Sequence, residues 1–424
     1  MPGPGLDKAG RRADLAGMTK YHAAATDIAI VGGGMNGLTA AVALAGAGFA
    51  VTLIDAHAAQ DVLDAGFDGR VSSIAWSSKV MLETLGVWQA VAPRAEPILE
   101  IRVSDADAPL YLHYDHADVA DHPLGYIAEN RVLRRALIER VQALPAIAVR
   151  APVKVAGLDR DRDGATLRLD DGTGLRAGLV VACDGAGSAL RDMAGIRHLT
   201  HRYRQTGIVT TVEHERPHRG IAHERFLKAG PFAILPLPGR RSSLVWTEDE
   251  AVARRIMELD AAAFLDELAW RFGDFLGALA PVGPRWAYPL SLVLAERYTA
   301  RRLALVGDAA HVIHPIAGQG YNLGLRDTAA LAEVLADMRR LGLEPGRDDA
   351  LERYARWRRV DNLMLVAVTD SLNRLFSNDI APVRLARDLG LAAVDRLPPL
   401  KRLFMRHAMG TVGRLPRLMR GETL

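Results

Sequence analysis

An uncharged stretch of 27 residues lies between Asp27 and Asp55, and its hydrophobic pattern changes three times. A β-branched apolar run over 28–31 is followed by a glycine-rich turn, an alanine-rich helical segment over 38–44 and a second apolar run over 51–54. This order predicts a strand, a helix and a second strand. About 20 apolar residues can span a bilayer, but the glycines would interrupt a continuous helix, so we exclude a membrane span.

The turn has the spacing Gly-x-Gly-x-x-Gly, which is typical of dinucleotide-binding βαβ units when a strand precedes it and a helix follows. We expect Gly32 to allow the tight turn, Gly34 to let backbone N–H groups approach a pyrophosphate, and Gly37 to let the helix pack closely. Asp55 ends the second apolar run, where such folds hold a ribose hydroxyl.

The rest of the chain alternates between helical and strand patterns. Helices are predicted over 77–85, 131–144 and 251–275, a β-hairpin over 98–116, and strands over 153–158, 166–169, three segments of 207–248, and 285–290. The predicted division is a disordered leader (1–25), a nucleotide-binding domain (26–96, 126–200 and 297–345), a domain rich in strands (97–125 and 201–296) and a C-terminal helical region (346–424).

Two further motifs follow apolar runs that are typical of buried strands. The run over 178–183 ends in Asp184-Gly185, and the run over 302–306 ends in Gly307-Asp308. A loop containing Pro315 then leads to Gly318-Gln319-Gly320, which begins a predicted helix. Ligands bind at the carboxyl ends of strands in α/β sheets, so we expect these motifs to meet the first glycine turn.

Amino-acid composition and the cysteine count indicate the general class of protein and its cellular setting. The 424 residues are 49% apolar and 24% charged, which is typical of a globular protein, and the single Cys183 excludes an internal disulfide. A reducing cytoplasm is therefore the expected setting. The net charge of +3 conceals a basic C-terminal region, since residues 351–420 have 14 Lys/Arg and 6 Asp/Glu. No nucleic-acid partner is expected.

In this order, the three motifs resemble those of the FAD-dependent aromatic hydroxylases with the para-hydroxybenzoate hydroxylase fold. The branch that acts in ubiquinone biosynthesis is indicated by the segments 68–74, 222–226, 230–237, 356–362 and 375–378. The resemblance implies an α/β fold with a Rossmann-like FAD-binding domain, an inserted antiparallel-sheet substrate domain and C-terminal helices.

The resemblance also implies roles for individual residues. Gly32, Gly34 and Gly37 would hold the FAD pyrophosphate, and Asp55 the adenosine ribose. Arg70 would lie near the flavin, although a surface arginine is an equal alternative from the local sequence. The remaining cofactor residues would brace FAD, hold its ribityl chain or face the isoalloxazine: Asp184, Gly185, Gly307, Asp308, Pro315, Gly318, Gln319 and Gly320.

The implied activity is hydroxylation of the aromatic ring of a polyprenyl phenol or related ubiquinone precursor, with NADH or NADPH and O₂, through a flavin C4a-hydroperoxide. Alternatives are a prenyl reductase or epoxidase of the same fold, or a non-catalytic member of a membrane biosynthetic complex. No catalytic acid or base is assigned. Residues proposed for the pocket, with core packing as the alternative for those of the middle sheet, are His314, Trp246, Arg225, Phe226 and Leu235.

Histidines and the basic tail complete the expectations. His311 and His314 lack the neighbours of a metal site, so no metal is expected, and His214, His218 and His223 are expected at a solvated surface. Seven basic residues alternate with apolar residues between Arg396 and Arg420. This pattern predicts peripheral attachment to a membrane surface, and the alternative is a solvated helix face packed against the FAD domain or a partner subunit. The resemblance implies the inner face of the membrane and other ubiquinone-biosynthesis proteins as partners.

Overall fold

The computed structural model describes residues 24–64, 66, 68–105, 111–314, 318, 320–359 and 397–424. Its strands are β1 (Ala24–Val31), β2 (Val51–Ile54), β3 (Val71–Ala75), β4 (Ala95–Ile98), β5 (Glu100–Asp105), β6 (Tyr111–Asp115), β7 (Gly125–Glu129), β8 (Ile147–Arg150), β9 (Val155–Arg160), β10 (Ala165–Leu169), β11 (Gly174–Ala182), β12 (His198–His214), β13 (Ile221–Leu227), β14 (Gly230–Leu237), β15 (Arg241–Asp249), β16 (Leu279–Ala295), β17 (Thr299–Ala300), β18 (Leu303–Leu305) and β19 (His311–Val312). The helices are α1 (Met35–Gly46), α2 (Ala59–Asp64), α3 (Trp76–Thr84), α4 (Trp88–Val91), α5 (Asn130–Gln142), α6 (Ala189–Met193), α7 (Glu250–Glu258), α8 (Ala261–Phe272), α9 (Gly320–Arg340), α10 (described over 348–359) and α11 (Pro398–Ala408).

The first sheet has the strand order β17-β18-β11-β1-β2-β8, with β10 also paired to β11 and β9 to β10. Strands β18, β11, β1, β2 and β8 run parallel, and most of their central residues are apolar and buried. Register aligns Val31 with Ala182, and Ala182 with Leu305. The three predicted motifs therefore leave the sheet at the same edge, as the sequence pattern predicted.

The second sheet has the order β19-β16-β12-β15-β14-β13-β5-β6. Strand β5 joins β13 in parallel, so the hairpin over 98–116 belongs to the same sheet as the strands over 207–248. Helices α7 and α8 pack on one side of this sheet, which we call the outer face, and Trp246 and Phe264 meet there. The opposite side, the inner face, packs through Ala222 and Leu235 on the third sheet and on α11.

The third sheet, β3-β7-β4, connects the two larger sheets. Strand β3 begins at Val71, directly after Arg70, and Val71 packs in the same cluster as Ile127, Leu235 and Met405. The segment that leads out of the nucleotide site is therefore fixed against the inner face of the second sheet.

The structure changes two predicted elements. The helical segment predicted over 251–275 is two helices, because Asp260 accepts the Ala263 N–H at 2.8 Å and begins α8 anew. Strand β1 begins at Ala24, inside the predicted leader, while 1–23 lie outside the described residues. The 375–378 segment, residues 360–362 and Arg396 also lie outside them.

Candidate functional site

The first glycine turn has an open surface where a pyrophosphate would bind. Gly32 has φ +107°, and a Cβ atom there would lie 2.3 Å from the Cys183 carbonyl oxygen. A Cβ at Gly37 would lie 1.8 Å from the Gly32 carbonyl oxygen, whereas a Cβ at Gly34 would meet no described atom within 4 Å. Helix α1 starts after Gly34 without a side-chain cap. Its first N–H groups therefore fit an anionic ligand such as the FAD pyrophosphate.

Asp55 is held beside this turn by backbone N–H groups. Its carboxylate accepts a hydrogen bond from Gly33, and another from His57 at 2.6 Å. A Cβ at Gly33 would lie 2.6 Å from the Asp55 carboxylate. Gly33, which stands between the motif glycines, is thus required for the approach of the acid, and the carboxylate lies where a ribose would adjoin the pyrophosphate.

The Asp184 motif braces the loops around the crevice. Asp184 accepts hydrogen bonds from the Ser188 hydroxyl at 2.5 Å and the Leu190 N–H at 3.1 Å. The buried Arg191 donates to the carbonyl oxygens of Ala186 at 3.0 Å and Ala309 at 3.1 Å. Arg191 therefore ties the second motif directly to the third.

The third motif depends on a buried charge cluster that sequence analysis missed. Asp327, on α9, accepts hydrogen bonds from Gly307 N–H at 3.1 Å, His311 at 2.6 Å and Arg358 at 2.7 Å. Burial disfavours its ionisation, but the charges of His311 and Arg358 outweigh burial and lower the Asp327 pKa to about 2. His311 is thus a hydrogen-bonded part of this cluster.

Asp308 projects from the motif toward solvent in the crevice. Surrounding protein desolvates the carboxyl group and raises its pKa, although His311 and Arg70 oppose this rise. Its position at the end of β18, level with the first glycine turn, suits an acceptor for a ligand hydroxyl.

The start of α9 is fixed against β3. Gly318 has φ +62°, and a Cβ there would lie 3.1 Å from the Ser73 Cβ. Asn322 donates to the Ser73 carbonyl oxygen at 2.8 Å and accepts the Ala75 N–H at 3.0 Å. Gly320 opens the helix with an uncrowded backbone, whereas Pro315 and Gln319 lie outside the described residues.

Two aromatic residues that sequence analysis did not select connect the inner face to the nucleotide site. Trp286 packs on Gly69, since a Cβ there would lie 2.3 Å from the Trp286 ring. The Tyr288 hydroxyl donates to the Asp68 carbonyl oxygen at 3.0 Å, and the Arg70 guanidinium lies 5.5 Å from the centre of the Tyr288 ring. The 68–70 loop is therefore in contact with β16.

The residues predicted for the pocket separate onto the two faces. Phe226 and Leu235 alternate with outer-face residues and lie on the inner face. Trp246 is only 1% exposed and packs with Phe264 on the outer face, and Arg225 donates to the Phe272 carbonyl oxygen at 3.3 Å on the same side. The pocket assignment is thus wrong for Trp246 and Arg225, because strand alternation points their side chains toward α8.

The histidines also differ from expectation. A ring nitrogen of the buried His214 lies 3.1 Å from the Ser242 hydroxyl. A ring nitrogen of the buried His218 lies 2.8 Å from the Leu237 carbonyl oxygen. The predicted solvated surface is therefore wrong for both histidines. Burial lowers the His223 pKa to about 4. His314 is buried, with its ring centre 5.1 Å from that of Tyr203.

This fold and crevice define an FAD-binding oxidoreductase, and comparison with known proteins agrees. Residues 25–362 match the family model described as FAD binding domain. The structure is similar to p-nitrophenol 4-monooxygenase PnpA of Pseudomonas putida, with TM-score 0.76, 21% identity and coverage of 92% and 100% of the two chains. It is also similar to PqsL of Pseudomonas aeruginosa in complex with 2-aminobenzoylacetate, with TM-score 0.72, 23% identity and coverage of 84% and 97%.

Relatives of higher identity define the branch. The ubiquinone hydroxylase UbiL of Rhodospirillum rubrum is 54% identical over 94% of this chain and 93% of its own. The 3-demethoxyubiquinol 3-hydroxylase of Escherichia coli is 39% identical over 91% of this chain and 98% of its own. The chain belongs to the family of FAD-dependent ubiquinone-biosynthesis hydroxylases, which confirms the predicted fold class, cofactor and enzyme class.

Proposed function

We propose that the protein uses FAD, NADH or NADPH, and O₂ to hydroxylate the aromatic ring of a polyprenylated phenol or quinone precursor of ubiquinone. The names of the relatives support the substrate class. Bound FAD, once reduced, supplies the chemistry that activates O₂ and transfers one oxygen atom to the ring. The predicted domain division, with nucleotide and substrate parts meeting at the 68–70 loop, is part of this proposal.

We assign the crevice residues to the cofactor. Gly32, Gly34 and Gly37 form the pyrophosphate turn, and Asp55 takes the adenosine ribose. The other assignments are Arg70, Asp184, Gly185, Gly307, Asp308, Pro315, Gly318, Gln319 and Gly320 around the remaining parts of FAD. Phe226 and Leu235 line the substrate side, with His314 near the flavin loop.

The main structural support for this proposal is the contact between β16 and the 68–70 loop. Trp286 on Gly69 and Tyr288 on Asp68 hold the inner face of the second sheet against the segment that adjoins the nucleotide crevice. A ring bound on the inner face beside this contact would be covered by protein, and exclusion of water protects reactive oxygen species from unproductive decay. This arrangement favours an oxygen-transferring enzyme over a binding protein.

The test is turnover by the FAD-loaded protein with a short-chain prenyl phenol in detergent. We expect substrate to accelerate NAD(P)H oxidation, and mass spectrometry to show a product with one added oxygen atom. Gly34→Val is the control, because its side chain would occupy the open surface for the pyrophosphate and prevent FAD retention. An FAD-loaded protein that reduces or epoxidises the prenyl chain, or leaves the phenol unchanged, would contradict the proposal.

We also infer that α11 touches an anionic membrane surface. Met405 and Met409 face inward onto the third sheet and the inner face, while Leu397, Leu403 and Phe404 are exposed. Arg402 and Arg406 are exposed between them. A mixed apolar and basic surface of this kind suits lipid headgroups better than water. Other ubiquinone-biosynthesis proteins at the same membrane are part of this proposal.

The structure narrows the predicted membrane segment. Leu418 and Met419 are buried, and Arg417 donates to Asp337 at 2.6 Å, so this part of the tail is packed on the FAD-binding side. Arg420 pairs with Glu422 at 2.8 Å. Assigning the whole tail to the membrane is therefore wrong. None of the helices within the described residues is both long and apolar enough to cross a bilayer.

Vesicle co-sedimentation tests this membrane proposal. Leu403→Ser should reduce pelleting with vesicles containing an anionic phospholipid, and high salt should reduce it further because screening weakens the basic contribution. Leu341→Ser is the matched control, because Leu341 is also an exposed leucine but directly follows the end of α9. Its side chain is 71% exposed, against 46% for Leu403. Equal loss of pelleting in both variants, or none in either, would contradict a specific role for α11.

A further inference from the structure

Glu224 is a buried carboxyl group with no partner among the described residues. It lies on β13, is 8% exposed, and is joined by no hydrogen bond or ion pair to any other part of the described chain. Burying a carboxyl group without a hydrogen-bond partner costs free energy, and native proteins rarely keep one without reason. A ligand that completes the hydrogen bonding would supply such a reason.

Strand register places Glu224 in a row that ends beside the 68–70 loop. The row crosses five strands of the inner face: Glu224, Ala233, Val245, Val209 and Trp286. Four strand steps of about 4.8 Å separate its ends by roughly 19 Å. Trp286 packs on Gly69, and the three residues between the ends have short side chains. The middle of the row is therefore an apolar surface of short side chains, with a carboxyl group at one end.

We propose that Glu224 binds a ring hydroxyl of the phenolic substrate and thereby fixes the position of the ring on this surface. The phenol O–H donates to a carboxyl oxygen, and no covalent bond forms or breaks in this contact. The apolar row accommodates the ring itself. This inference rests on the proposed function, since it names a substrate contact for that reaction.

The protonation state of Glu224 gives the contact a measurable signature. Burial raises its pKa from 4.5 to about 8, and no charged group contributes appreciably. Titratable groups on the strands packed nearby are Asp105, Tyr114, Glu96 and Glu129. Glu224 is mainly neutral at pH 7, and its ionised form at higher pH would accept a stronger, charge-assisted hydrogen bond from the phenol.

Stability should depend on pH through the same group. Between pH 4.5 and about 8 the folded protein keeps a proton that the unfolded chain has lost, so the free energy of unfolding falls as pH rises across this window. Glu224→Gln removes this contribution while keeping the shape of the side chain. The difference in stability between wild type and Glu224→Gln should therefore grow from pH 5 to pH 8.

The experiment compares FAD-loaded Glu224→Leu, Glu224→Gln and Glu248→Gln. Glu248 is the matched control, because it is also 8% exposed and lies on the outer face, where it accepts from the Trp246 ring N–H at 3.2 Å. We expect Glu224→Leu to raise the Tm without substrate, to weaken phenol binding about tenfold in a flavin-absorbance titration, and to increase NAD(P)H oxidation without product. Glu248→Gln should lower the Tm and leave phenol affinity unchanged.

Activity as a function of pH completes the test. In wild type, kcat should rise as the pH passes about 8, and in Glu224→Gln this step should be absent. A lower Tm for Glu224→Leu with unchanged phenol affinity would overturn the inference and make Glu224 a structural residue. If wild type retains FAD but forms no hydroxylated product, the proposed function fails. The phenol titration of wild type and Glu224→Leu still decides the role of Glu224 in that case.

Discussion

One buried carboxyl group in the nucleotide crevice and one on the inner face of the second sheet have opposite surroundings. In the crevice, the Asp327 carboxylate accepts hydrogen bonds from Gly307, His311 and Arg358. On the inner face, Glu224 and the hydroxyls of Thr211 and Ser243 have no hydrogen-bond partner among the described residues. The pKa values of the two carboxyl groups differ in the same sense: the pKa of Asp327 is lowered to about 2, and that of Glu224 is raised to about 8.

This contrast separates groups that hold the fold from groups available to a ligand. A paired buried charge is costly to break, because the partner is left uncompensated in a low-dielectric interior. An unpaired buried group lowers stability until something binds to it. We therefore expect substitutions in the crevice cluster to act on stability and cofactor binding, and substitutions on the inner face to act on substrate.

Asp327→Ala should have the largest effect. The substitution removes the carboxylate that accepts from His311, Arg358 and the Gly307 N–H, and we expect the free energy of unfolding to fall by about 5 kcal/mol, with loss of FAD. Chemical denaturation and flavin content of the purified variant measure this. In wild type, the contribution of Asp327 should be lost as pH falls from 3.8 to about 2, because its folded pKa is depressed. Full stability and full flavin content in the variant would show that the cluster is dispensable.

Trp246→Ala should destabilise the protein by about 3 to 4 kcal/mol through a cavity on the outer face. Trp246 contacts Phe232 and Phe264, and the Arg271 guanidinium lies 4.3 Å from its ring centre. At a temperature where the variant is folded, peroxide formed per NAD(P)H should match wild type. A higher peroxide yield with unchanged stability would return Trp246 to the pocket.

Asp308→Ala should weaken FAD binding by about 2 kcal/mol with little change in the apoprotein, because a ligand hydroxyl loses its acceptor. The Asp308 carboxyl group reaches solvent in the crevice, unlike that of Asp327. Equilibrium titration of the apoprotein with FAD gives the affinity, and thermal unfolding without FAD gives the control. Unchanged FAD affinity would remove Asp308 from the cofactor site.

The smallest effect concerns two adjacent serines on opposite faces of β15. Ser242 lies 3.1 Å from a ring nitrogen of His214, whereas the Ser243 hydroxyl has no described partner. Ser242→Ala should cost about 1 kcal/mol, and Ser243→Ala less than about 0.5 kcal/mol. Urea unfolding of the two variants measures the difference. A larger loss for Ser243→Ala would mean that the inner face is not a region of unpaired groups.

Local sequence determined much of the nucleotide site. The spacing of Gly32, Gly34 and Gly37, and the acids Asp55 and Asp308 at strand ends, are set by backbone geometry within a few residues. Apolar runs identify the central parallel strands because those strands are buried in the core of the sheet. These features are readable from the chain, since each depends on steric rules that act over short distances.

Tertiary structure alone decided which polar and aromatic residues meet. Asp327 lies 20 residues beyond Gly307 and pairs with Arg358 from another helix, and Trp286 reaches Gly69 across two sheets. Alternation along a strand shows that Trp246 and its neighbours face opposite ways, but not which way is toward the flavin. Only the packing of α7 and α8 on one face decided this, because a two-residue period is the same whichever side is covered.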